Sequence, residues 1–396
     1  MKNTRVSHGK YSPQKYIRET STVLKRISRL FHSETSSDEI NTHQLRSGQS
    51  VAHPVVTQQC GYSDRFDKLM EADSVDMPKL RELVWSGCSR SDPRTRSHCW
   101  QLLLGFLPPR IDRRSDSQAR KALEYDGILS EYECSLVDDL GKLRDDSTRS
   151  LIRQVDVDIP RTVTFGLDWI LSRPFDCIIR RVLIVWSLRN PACGYVQGMN
   201  DIMVTIMLVL IEGSLNIPLE SIKADDFVLI DARLLESDLY WMFSRLIQGV
   251  QDHYTSSQPG IQKMMRHFKD IIRRLDQDLS NHLESQQIDL EQLSFRWFNC
   301  LLAREFGYRS LLRIWDTCIA EEDGFNVFLV YFCAVLIRNK SATLRCMEFQ
   351  QIMSFFTPSD KPIDLPDINE LEANISEAFV LKTLFHSSPN HLMNSS

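Results

Sequence analysis

Two stretches limit what this chain can fold into. "IMVTIMLVLI" occupies positions 202–211 and "VFLVYFCAVLI" positions 327–337, and each is apolar almost throughout. A membrane span needs about 20 such residues, so both are too short to cross a bilayer. They read instead as helices buried on every side, which requires a core wide enough to surround them. A chain of 396 residues, 42% apolar and 25% charged, can supply one.

Helical spacing recurs from position 64 onward. "RFDKLMEADSVDMPKLRELVWSG" predicts two short helices, with Pro78 suited to a start and Gly87 to an end. "RSHCWQLLLGFLPP" predicts another, stopped by Gly105 and Pro108-Pro109. "SDSQARKALEYDGILSEYE" opens on serine and aspartate and carries Ala122, Leu123 and Ile128 at helical spacing. "DCIIRRVLIVWSLRNP" stays helical until Asn190-Pro191, and "SDLYWMFSRLIQGVQDHY" and "GIQKMMRHFKDIIRRLDQDLSNHLES" continue in kind. Alternation of the β type is confined to a few residues of "VDVDI". The expectation is an all-α domain over residues 64–396, without the internal repeats that build a solenoid.

Residues 1–63 differ. "HSETSSDEINTHQLRSGQSVAHPVVTQQ" is polar and lacks a sustained apolar period, so it reads as a disordered linker. Upstream, in "KYIRETSTVLKRISRLF", Ile17, Val23, Ile27, Leu30 and Phe31 can share a helical face opposite Lys15, Arg18, Lys25, Arg26 and Arg29. Such a pattern fits a basic amphipathic helix on an anionic membrane surface or on a partner. For so short a segment, a solvated tail with transient helix is the reading that fits better.

Composition excludes several classes. A net charge of −5 and a pI near 6.1 give no basic field for nucleic acid. The ten cysteines include no CxxC pair, and the ten histidines no HExxH spacing. Reduced thiols in a cytoplasmic protein without a metal are the expectation. The start, "MKNTRVSHGK", lacks the apolar region of a secretory signal.

Two short segments carry the chemistry. In "QVDVDIPRT", Pro160 fixes its own φ and favours an extended Ile159, which sets Arg161 on a stiff loop entering a helix. Asp158 can bind nearby amides or hold a basic side chain. The same residues also fit a plain helix cap with Arg161 merely exposed. In "PACGYVQGMND", Gly194 and Gly198 bracket Tyr195, Val196 and Gln197 and free Gln197 to point outward. A simple helix connector fits that segment too. Together they are more informative, because an arginine and a glutamine are what GTP hydrolysis needs from a helper protein. The arginine fork neutralises charge on the transferring phosphoryl group, and the glutamine amide orients the attacking water.

At this point the chain resembles the TBC-domain family of GTPase-activating proteins for Rab GTPases. The family's IxxDxxR motif is matched by Val155, Asp158 and Arg161, with valine for isoleucine, and its YxQG motif by Tyr195, Gln197 and Gly198. "WSGC" with "RSHCW", "ESDLYWMF", "FRWFNCLLAREF" and "LLRIWD" resemble further family segments, although the first lacks the usual proline. "DHYTSSQPGIQ", "LPPRIDRR" and "SPNH" look like the family's member-22 branch, near the yeast Golgi Rab activators.

The resemblance implies a large multi-helix TBC domain that acts as an enzyme activator, supplying Arg161 and Gln197 in trans. Asp158, Tyr195, Gly198, Arg181, Asn200 and Asp201 are then expected to support the finger loops. GTP and Mg²⁺ belong to the partner Rab, and the chain has no cofactor of its own. A cytoplasmic place in vesicle trafficking, peripheral at Golgi membranes, is implied as well. Two other readings stand beside this one: a non-catalytic Rab-GTP binding module, and a Golgi adaptor scaffold. Ser28, Ser115 and Ser117 lie in basic contexts where phosphorylation could recruit phosphoserine-binding proteins.

Overall fold

In the computed structural model, the described residues are 60–88, 92–136, 145–356 and 368–386. The expected linker, the basic stretch with Ser28 and the closing "SPNH" lie outside them. The first half comprises α1 (Cys60–Met70), α2 (Met77–Trp85), α3 (Pro93–Leu103), α4 (Arg114–Leu136), α5 (Asp146–Asp158), α6 (Phe175–Arg189), α7 (Met199–Leu215) and α8 (Ala232–Gly249). The second comprises α9 (Pro259–Leu275), α10 (Gln277–Ser285), α11 (Leu290–Asn299), α12 (Tyr308–Ala320), α13 (Leu329–Asn339), α14 (Ser341–Leu344), α15 (Phe349–Phe356) and α16 (Ile368–His386). Among the described residues no strand forms, and Ser74 and Arg110 make an isolated bridge. The chain is all-α.

Aspartates start many of these helices. Asp76, Asp92, Asp145, Asp231, Asp276 and Asp289 each accept a first-turn backbone N–H, satisfying donors that the helix leaves open. Pro78 sits in the first turn of α2, and Gly87 follows its end with a left-handed φ of 95°.

α7 is the central helix. Every residue from Met199 to Glu212 is buried, and α3, α6 and α8 pack around it. The second apolar stretch enters α13 through a π turn (Gly324–Phe328) and is buried from Phe328 to Ile337, with Val327 half-buried. α9 and α16 cover α13, while α12 packs on α2 and α3. No helix among the described residues is long and apolar enough to cross a membrane.

Two local expectations are corrected. "VDVDI" is helical, and Ile159 has φ −54° and ψ −51°. Pro160 lies in the first turn of a 3-10 segment (Ile159–Arg161) that closes α5, where a missing N–H is tolerated. Arg161 therefore leaves a helix and does not enter one. Leu123 is 67% exposed, because the buried face of α4 runs through Ala122, Tyr125 and Ile128. Ser115 and Ser117 occupy the first turn of α4, Ser115 exposed and Ser117 half-buried.

Candidate functional site

The end of α5 and the start of α7 meet through a buried polar network. Asp158, the last residue of α5, accepts the Tyr195 hydroxyl on its carboxylate at 3.0 Å. Its main-chain oxygen accepts from Thr162 Oγ1 at 3.4 Å and Asn200 Nδ2 at 3.5 Å. Asn200 joins the two segments. It donates to Thr162 Oγ1 at 2.8 Å and accepts the Gly198 N–H at 3.1 Å. The Tyr195 hydroxyl also lies 3.3 Å from its Oδ1. Burial pushes the Tyr195 phenol up, and the Asp158 carboxylate adds to this, so the hydroxyl stays protonated as a donor.

Asp201, beside Asn200, reaches the other way. Its carboxylate accepts the Val163 N–H at 3.4 Å and pairs with Arg304 Nη1 at 3.3 Å. The same guanidinium donates through Nη2 to the Arg161 carbonyl at 3.4 Å. Burial pushes the Asp201 carboxyl up to about 6, against the pull of Arg304 and of the Val163 amide. At neutral pH it remains ionised.

Gly198 closes the second loop with φ 105°, a conformation that L side chains rarely adopt. A Cβ there would lie 2.8 Å from Asn299 Nδ2 and 2.9 Å from Cys300 Sγ. That closeness lets Asn299 Nδ2 donate to the Gln197 carbonyl at 2.7 Å. Both Arg161 and Gln197 are exposed, their main chains held and their side chains turned to solvent. Among the described residues neither the Arg161 guanidinium nor the Gln197 side-chain amide has a partner. Two polar side chains are thus presented outward from a scaffold whose polar groups are themselves paired. Such a site can contact a charged oxygen and a water on another molecule.

Of the residues singled out in the sequence, Asp158, Tyr195, Gly198, Asn200 and Asp201 come together with the main chain of Arg161 and Gln197. Arg181 makes its bidentate pair with Glu236 instead, at 2.6 and 2.9 Å, and Glu236 also accepts the Tyr125 hydroxyl. That cluster ties α6 to α4 and α8. Thr162, Asn299 and Arg304 escape the sequence reading. The signal for two of them was an asparagine and an arginine interrupting the apolar run of "FRWFNCLLAREF".

Residues 93–344 match the Rab-GTPase-TBC domain family, and the chain belongs to that family. It is similar to TBC1 domain family member 22A of Homo sapiens, 35% identical over 332 residues that cover 83% of this chain and 61% of that protein. It is also similar to the GTPase-activating protein gyp1 of Schizosaccharomyces pombe, 34% identical over 338 residues, covering 83% of this chain and 62% of that one. The chain therefore spans about three-fifths of the length of these curated relatives. The crystal structure of the Ypt/Rab-GAP domain of Gyp1p superposes with a TM-score of 0.71 at 27% identity, covering 83% of this chain and 100% of that one.

Proposed function

We propose that this chain binds a GTP-loaded Rab GTPase and completes its active site with Arg161 and Gln197. The observation that carries this reading is the pair of exposed side chains on two loops joined by one buried asparagine, Asn200. The Arg161 guanidinium spreads over the γ-phosphoryl oxygens and neutralises charge as the bond to the β–γ bridging oxygen breaks. Such a finger contributes about 10³–10⁵ in rate. The Gln197 amide accepts a hydrogen bond from the attacking water and orients it on phosphorus. Water adds, GDP leaves, and phosphate is released. GTP and Mg²⁺ come with the Rab, and the chain itself supplies only polar side chains. Membership in the family and the likeness to the Ypt/Rab-GAP domain of Gyp1p support a Rab as the partner.

The test is single-turnover hydrolysis by a panel of GTP-loaded Rabs at saturating protein, which isolates the chemical step. Arg161→Lys should cut the saturated rate by orders of magnitude, because lysine lacks the planar fork. Gln197→Ala should do the same, while the wild-type chain should still act on a Rab whose own switch glutamine is leucine. A pure binding module gives the reverse pattern: weaker affinity for Gln197→Ala and an unchanged saturated rate.

A further inference from the structure

The two loops share a second support that lies outside the recognised motifs. α11 ends at Asn299, and the chain then turns through Leu301 and Leu302 with φ values of 50° and 65°. Two successive left-handed leucines are strained, and such a conformation persists only where the surroundings over-determine it. Here they do. Both leucines are 0% exposed, the Leu302 N–H bonds the Trp297 carbonyl at 2.8 Å, and the Leu301 carbonyl accepts from Trp315 Nε1 at 2.9 Å. Arg296 spans the turn with a bidentate pair to Glu305, at 2.7 and 2.9 Å.

This rigid turn aims one side chain at each loop. Asn299 donates to the Gln197 carbonyl, and its orientation is fixed by Gln258 Nε2, which donates to Asn299 Oδ1 at 3.1 Å. The Tyr254 hydroxyl holds the Asn299 carbonyl at 2.9 Å. Five residues on, Arg304 donates to the Arg161 carbonyl while its other nitrogen pairs with Asp201. Neither contact touches the side chain that faces the partner; both fix the main chain from which it projects.

We propose that residues 299–304 form a brace that sets the two loops in register, with Asn299 positioning Gln197 and Arg304 positioning Arg161. This rests on the two-finger reading above. Neither residue touches the nucleotide, so each acts through the residue whose carbonyl it binds. A displacement of about 1 Å at a catalytic group can cost about 100-fold in rate, which is the scale expected of a lost brace contact.

The test uses the full chain with the most responsive Rab of the panel, loaded with GTP, in single-turnover hydrolysis over a range of chain concentrations. Asn299→Asp keeps shape but sets a carboxylate against the Gln197 carbonyl. It should lower the saturated rate about 10- to 100-fold and leave the half-saturating concentration within about threefold. In a Gln197→Ala background it should lower the rate less than about twofold further, since the residue it positions is gone. Arg304→Met should behave likewise towards Arg161, losing its effect in an Arg161→Ala background.

Should Asn299→Asp fail to fold by thermal unfolding, Asn299→Ser, too short to reach Gln197, takes its place. Unfolding of both overturns the proposal. It is also overturned by an undiminished loss in the Gln197→Ala background, or by an effect confined to half-saturation. If Arg161→Lys and Gln197→Ala themselves keep the wild-type rate, the finger reading fails and the brace with it. If those two lose activity and the brace variants do not, the brace alone fails.

Discussion

The guanidinium of Arg96 lies along the carboxylate of Asp316, with Nε 3.1 Å from one oxygen and Nη2 3.2 Å from the other. The Asp316 side chain is fully buried, and it also accepts the Trp100 indole N–H at 2.7 Å and the Cys88 amide at 2.9 Å. Segments far apart in sequence converge on one carboxylate, which fastens α3 and the turn after α2 to α12. Asp316→Ala would take this acceptor from the Trp100 indole and the Cys88 amide and leave Arg96 only its longer pair with Glu212, at 3.8 Å. The expected loss is about 3–5 kcal/mol of stability, read as a lower urea midpoint with an unchanged slope. Asp316→Asn, which keeps an acceptor, should lose less.

The motifs that resemble the family were legible because they are chemically odd: a lone glutamine between glycines, an arginine behind a proline, "RSHCW" and "IWD" in apolar company. What "RSHCW" and "IWD" do was not legible. Arg96 and Trp100 share α3, but Asp316 lies more than 200 positions from both, and no spacing rule brings it to them. The two apolar runs predicted the core correctly, since a residue sequence without a polar face has only one stable environment. The departures from the sequence pattern are local. Proline's usual effect on its predecessor is overridden at Ile159, where the end of α5 holds that residue helical. Leu123 is as apolar as its neighbours at helical spacing, but Tyr125 has the better angle and a buried carboxylate to bond, and Leu123 faces solvent. Asn299 and Arg304 reach the loops only through the turn at Leu301 and Leu302, a conformation that leucine does not announce.

Gly198 gives a sharp test of the second loop. Gly198→Ala puts a methyl group at φ 105°, against Asn299 Nδ2 and Cys300 Sγ. The backbone alone should cost more than about 1 kcal/mol. Because the neighbouring Asn299 amide must move, the bond to the Gln197 carbonyl is lost as well. Thermal unfolding should shift down by several degrees, and saturated hydrolysis should fall further than that shift explains. An active, equally stable variant would show that the close approach is unimportant.

The basic stretch at 15–31 makes a prediction about location. Lys15, Arg18, Lys25, Arg26 and Arg29 are concentrated there in a chain whose net charge is −5. Each basic residue near an anionic surface adds about 1 kcal/mol of attraction, screened by salt. Deleting residues 1–59 should abolish co-flotation with phosphatidylserine vesicles and leave hydrolysis in solution unchanged. Binding by the intact chain should weaken steeply as salt rises. Undiminished flotation of the shortened chain would place the attraction elsewhere.

Asp201 links the arginine loop to pH. Its carboxyl, pushed up to about 6 by burial, is ionised at neutral pH and faces Arg304, with Asp158 opposing. As pH falls through about 6 it takes a proton, loses the ion pair and releases Arg304 from its hold beside the Arg161 carbonyl. The saturated rate of the wild type, divided by that of Asp201→Asn at each pH, should therefore fall as the medium is acidified through that value. The ratio removes the pH response of the Rab itself, which both share. Stability moves the other way. An unfolded aspartate titrates at about 3.9, so between about 4 and about 6 the folded state holds a proton that the unfolded state has released. Acidification across that window then adds to Asp201's contribution to stability. Rate and stability should separate, the first declining while the urea midpoint of wild type gains on that of Asp201→Asn. A rate ratio flat across pH 5 to 7.5 would show that Arg304 holds the loop without help from the Asp201 charge.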